Sequence, residues 1–209
     1  MISRAAIKEN AKVQLGSNIF GQVWLMATLL CFIVTAISAV ASKCTKGVIV
    51  SLIAGPFAVG LSFVFLNLAR GSGTVNIEDM FVNGFSKNLS RNFLVGFLAN
   101  LFIALWSLLF VVPGIVKYYA YSMYPYIAND HPEYTWKQCI DESCRMTQGH
   151  KGELFVLDLS FWGWYIVGSI CLGLGTFWVM SYHFAAKANY YEALKGLYYG
   201  TANFEGNTY

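Results

Sequence analysis

The sequence predicts an all-α polytopic membrane protein. About six spans form three hairpins, each preceded by a cytoplasmic amphipathic helix. Three observations carry this. Of the 209 residues, 56% are hydrophobic and only 12% charged, against about 25% charged in a soluble domain. A chain of this length can bury a core, but too few polar residues remain to cover one. The apolar runs are continuous, without the alternation of a membrane β-barrel. Finally, Lys and Arg cluster beside those runs, as they do in cytoplasmic loops.

The first helix is expected over residues 3–15. Arg4, Lys8 and Lys12 recur every four residues and form one basic stripe, with Ile2, Ala6 and Val13 as apolar cover. Such a helix lies in the cytoplasmic interface or presents a solvated face. Arg4, Lys8 and Lys12 are therefore candidate lipid-headgroup contacts. Span 1 follows over 19–40; it is too long for the h-region of a signal peptide, about 7–15 residues. Span 2 covers 47–69 and contains Gly55-Pro56. A proline in a membrane helix kinks it when neighbours satisfy the freed carbonyl.

A second amphipathic helix is expected over 76–87. Asn76 can cap it, Glu78 and Asp79 suit its first turn, and Met80, Phe81 and Phe85 share a face. Span 3 runs over 92–112. Pro113-Gly114 then reverses the chain as a structural turn at the outer face. The return, 115–128, is rich in tyrosine and covers only about 21 Å as a helix. A third amphipathic helix opens at Thr135, with Gln138 completing a capping box. Gly149 ends it. Span 5 covers 153–171, Gly173 and Gly175 make the turn, and span 6 covers 176–196. Residues 1–200 form one integral-membrane domain, and 201–209 a polar tail.

Positive charge selects six spans over four. Six spans place eleven Lys and Arg residues on the cytoplasmic side against three outside; four spans split them eight against six. Both termini are then cytoplasmic, and the expected location is a bacterial cytoplasmic membrane. The net charge of +3 is too small to suggest nucleic acid. Cys31 and Cys171 lie in spans, Cys139 and Cys144 in an inner loop, and only Cys44 near the outer face, so no disulfide framework is expected.

Several motifs occur together: Trp106-Ser107-Leu108-Leu109, Val112-Pro113-Gly114-Ile115-Val116-Lys117, Tyr121-Ser122-Met123 and Pro125-Tyr126-Ile127. Ser143, Met146, Gly149-His150-Lys151, Leu159-Ser160-Phe161, Gly163-Trp164 and Tyr190-Tyr191-Glu192-Ala193-Leu194 follow. Their order and spacing resemble the bacterial integral-membrane family called domain of unknown function 975, common in Firmicutes. The resemblance covers nearly the whole chain. A looser similarity, around Pro113-Gly114 and Ser143, is to the membrane domains of some glycerophosphodiester phosphodiesterases, which are not their catalytic part. Neither resemblance implies a catalytic residue.

Asp158 is the costliest residue in a span, since an intramembrane carboxylate faces a partner or a cavity. It lies about 7–8 Å into span 5, and Lys187 about 13 Å into span 6. Antiparallel neighbours would set them at similar depth, so an Asp158–Lys187 ion pair is expected. His183 joins them as a candidate intramembrane polar cluster, as an interhelical hydrogen-bonder or a proton relay. His150 and Lys151 stand at a helix end and are further candidate headgroup contacts. No nucleophile elbow, P-loop, zinc motif or dinucleotide fingerprint is present, so no cofactor, metal or catalytic residue is assigned. The leading reading is a non-enzymatic scaffold, regulator or accessory module that interacts with membrane lipids or with a membrane-protein partner, including a second copy of itself. The alternative is a small oligomeric transporter or channel using Asp158, His183 and Lys187. A membrane-embedded lipid enzyme using His150, Asp158 or His183 ranks third.

Overall fold

The computed structural model describes residues 4–16, 21–45, 48–86, 88–109, 111–170 and 173–205. Among these the chain is all-helical. The helices are α1 (Arg4–Leu15), α2 (Gln22–Thr45), α3 (Val48–Ala69), α4 (Ile77–Phe81), α5 (Leu89–Leu109), α6 (Val111–Tyr121), α7 (Tyr124–Asp130), α8 (Trp136–Met146), α9 (Lys151–Ile170) and α10 (Leu174–Glu205), with a π-helical turn at Val82–Ser86. Among the described residues, three stretches are long and apolar enough to cross a membrane: Gln22–Ala39, Leu89–Leu108 and Lys151–Ile170. A shorter apolar stretch, Ala54–Ala69, lies in α3.

Among the long helices, α2 contacts α3, α5 contacts α6 and α9 contacts α10, while α3 also packs on α5 and α10. Phe65 of α3 stacks on Phe184 of α10 with ring centres 5.6 Å apart. Close approach depends on glycine. A Cβ on Gly96 of α5 would overlap the Cα of Gly55 on α3, and one on Gly168 of α9 would come within 2.9 Å of Gly175 on α10. Pro56 stays inside a continuous α3, as a proline can when neighbouring groups take up the freed backbone.

α1 and α8 bury part of their apolar side chains against the bundle itself. α1 buries Ile7, Ala11 and Leu15. It runs alongside α10: Tyr182 Oη donates to Lys8 O at 3.1 Å, and Asn189 Nδ2 to Gln14 Oε1 at 2.6 Å. α8 buries Cys139, Ile140, Ser143 and Met146 against α5, α6 and α7. Its capping box joins Thr135 and Gln138, and Gly149, with φ 82°, follows its end.

Five expectations need correction. The second amphipathic helix is shorter than expected and tightens into a π turn at Val82. Asn76 holds the cap position, but its side chain makes no cap bond and donates instead to Asp79 Oδ2 at 3.3 Å. Pro113 and Gly114 sit in the first turn of α6, inside a helix rather than at a turn between helices, and residue 110 lies outside the described residues. Proline suits a first helical turn, where its missing N–H costs no bond. The tyrosine-rich return is two helices, α6 and α7, broken at Ser122-Met123. Ala6 and Val13, expected as apolar cover on α1, are exposed, and Ile7, Ala11 and Leu15 are buried instead, because helical spacing puts those three on the face that meets the bundle. Cys31, Cys139 and Cys144 are free; Cys171 and the Cys44 side chain lie outside what is described.

Candidate functional site

Asp158 of α9 stands at the centre of a polar cluster between α6, α9 and α10. Its Oδ1 lies 2.8 Å from His183 Nε2, and its Oδ2 lies 3.2 Å from both Lys187 Nζ and Tyr119 Oη. Tyr165 Oη lies 3.1 Å from His183 Nδ1. The Phe161 ring stacks on the imidazole at 4.6 Å. The cluster is well shielded, with 13–18% exposure for the Asp158, His183 and Lys187 side chains.

The geometry satisfies every partner with a neutral imidazole. Nε2–H donates to Asp158, and Nδ1 accepts from Tyr165. Asp158 and Lys187 then cancel, which is the cheapest charge state for ions held away from water. Helical periodicity aligns the groups. Asp158, Phe161 and Tyr165 fall at i, i+3 and i+7 on α9, and His183 and Lys187 at i and i+4 on α10. The sequence reading named three members and missed Tyr119 and Tyr165. The α9 spacing could have revealed Tyr165, whereas Tyr119 comes from a different hairpin.

Two cavities meet at this ion pair. One, of about 410 Å³, is lined by Asp158, Tyr119, Ser107, Phe155, Leu159 and Trp162. The other, of about 330 Å³, is lined by Lys187 together with residues of α2, α3, α5, α6, α7 and α10. Ile103 and Tyr118 line both. Tyr118 presents its ring 5.8 Å from Lys187 Nζ.

The break between α6 and α7 forms part of the second wall, and α8 supplies its missing bonds. Ser143 Oγ donates to Ala120 O at 2.7 Å and accepts from Met123 N at 3.2 Å, while Thr147 Oγ1 donates to Ala120 O at 3.3 Å. Both side chains are fully buried. In this chain Ser143 thus has a structural role.

The candidate headgroup contacts divide. Arg4 and Lys12 are exposed, and Lys151 is half-buried at the start of α9. Lys12 edges an aromatic groove with Trp24, Trp164, Trp178 and Tyr182. Lys8 turns inward instead, 3.4 Å from Ser160 O and 4.4 Å from the centre of the Phe161 ring. His150 pairs with Glu153 at 3.3 Å, and Tyr190 Oη donates to Glu153 Oε2 at 3.2 Å.

A second polar node, which the sequence reading missed, ties α3 and α7 to α10. Asp130, the last residue of α7, meets Arg70 at 2.7 Å and Lys195 at 2.6 Å. Tyr191 donates to Asp130 at 3.0 Å, and Arg70 also holds Glu192 at 2.8 Å. Burial opposes ionisation of Asp130, but the hydrogen bonds from Lys195 and Arg70 outweigh it and hold the carboxyl below its usual range. Burial likewise opposes the charge on Arg70, and the Asp130 and Glu192 carboxylates more than offset it. Arg91 closes the end of α7, donating to Ala128 O at 2.9 Å, Pro132 O at 2.8 Å and His131 O at 3.1 Å.

These features define an all-helical bundle in which, among the described residues, three helices are long and apolar enough for a bilayer. The chain belongs to the family described as protein of unknown function (DUF975), whose pattern matches residues 1–120 and 111–198. No curated protein and no solved structure matches it.

Proposed function

We propose that this is a non-enzymatic integral membrane protein of the bacterial cytoplasmic membrane. It acts as a scaffold or accessory module through lipids or membrane partners. In this reading the three hairpins give six spans, with both termini cytoplasmic. The observation that carries it is the division of surface from interior. Large apolar side chains face outward on α2, α5, α6 and α9, among them Phe32, Leu108, Val112, Trp162, Ile166 and Ile170. The ionised groups within the bundle are paired and balanced. The orientation is supported by Arg70, Arg91 and Lys195, which gather near Asp130 at one end of the bundle.

Crosslinking in native membranes, followed by identification of the attached proteins and lipids, tests the module reading. Recovery of neither a partner nor a lipid would overturn it. The topology is tested separately with Val112→Cys, which should react with an impermeant thiol reagent only from outside. Labelling from the cytoplasm alone would sink six spans.

A second reading, a small oligomeric transporter or channel, draws on the two cavities that meet at the Asp158–Lys187 pair. Solute flux in proteoliposomes that disappears on replacing Asp158 would favour it. An enzyme reading, ranked third, draws on the His150–Glu153 and His183–Asp158 pairs.

A further inference from the structure

We propose that the 330 Å³ cavity is a binding site for a small oxyanion with an apolar body, a carboxylate or a phosphate monoester, held by Lys187. Its volume falls at the lower end for small-molecule sites, which are mostly apolar with a few converging polar groups. The wall has that composition. Phe57, Phe184 and Met180 supply apolar surface, and Tyr121, Tyr124 and Asn100 supply polar ends. Lys187 is the single charged residue among the described lining, so the one ionic contact the wall can offer is to an anion that takes Lys187 from Asp158.

Lys187 can make this contact without dismantling the cluster. Its ammonium has three donors, and its contact with Asp158, at 3.2 Å, is longer than the 2.8 Å from His183 to the same carboxyl. If an anion draws Lys187 away, Asp158 keeps His183 and Tyr119. The ligand therefore competes with Asp158 for one ammonium. Tyr118, which lines both cavities and faces Lys187, would report that movement.

The oxyanion could be a free solute or the phosphate of a lipid, and two arms separate them. Protein in phosphatidylcholine nanodiscs is titrated with benzoate and with inorganic phosphate by calorimetry. Protein in nanodiscs containing phosphatidic acid is assayed by native mass spectrometry for retained lipid. Binding in either arm identifies the source. Asp158→Asn removes the competitor and should tighten binding about tenfold or more. The double substitution Asp158→Asn with Lys187→Met removes both charges together, preserves balance and should abolish binding. Circular dichroism first establishes that each variant is folded. Equal binding by the double variant, or no binding in either arm by both the wild type and Asp158→Asn, overturns the proposal.

Discussion

Ser143 shows how one hydroxyl sustains a broken helix. The break at Ser122-Met123 frees a carbonyl at Ala120 and an amide at Met123, and Ser143 bonds both from full burial. Unpaired backbone groups inside a bundle are costly. Ser143→Ala should therefore destabilise the protein by about 1–3 kcal/mol, as a lower thermal unfolding midpoint in detergent. Asp158 poses the opposite problem, a charge that must not lose its partner. Asp158→Asn leaves Lys187 buried without its counter-ion and should cost about 3–5 kcal/mol. Adding Lys187→Met should recover most of that, as measured by the same melting experiment. Asp158, His183 and Lys187 were legible one by one, because ionisable residues in apolar runs stand out. That Lys8 turns inward onto Phe161 was not legible, because a basic stripe reads the same whether its lysines meet water, headgroups or a ring.

At the scale of elements, neighbouring helices are locked by backbone contact. Gly55 and Gly96 let α3 and α5 touch directly, and no side chain there can rotate aside. Gly96→Ala should force the helices apart and cost about 1–3 kcal/mol, the usual range for overpacking, whereas Gly163→Ala, with open space around its Cα, should be neutral or stabilising. Paired thermal melts of the two variants check this. Hydrophobic run length announced the long helices, and Thr135 with Gln138 announced the start of α8. Pro113-Gly114 read as a turn but lies inside α6, because proline both follows turns and opens helices. The split between α6 and α7 was hidden, since its bonds come from Ser143 and Thr147 on another element.

For the molecule as a whole, Asp130 joins the ends of α3 and α7 to the side of α10. Its carboxyl is held below its usual range, so the node stabilises the fold above the ordinary carboxylate pKa and loses that stabilisation as pH falls toward the depressed value. The unfolding midpoint should fall once pH drops below about 4, and less steeply in Asp130→Asn; melts from pH 7 to pH 3 compare the two. The sequence alone determined that the chain is helical, with runs apolar enough for a bilayer. Run length, composition and periodicity are local quantities that need no neighbour. Only the tertiary structure decided which faces of α1 and α8 turn inward, that Tyr119 and Tyr165 complete the Asp158 cluster, and that Asp130 ties α3 and α7 to α10. Each depends on which surfaces meet, and helix–helix contact is set by shape and pairing between residues far apart in the chain.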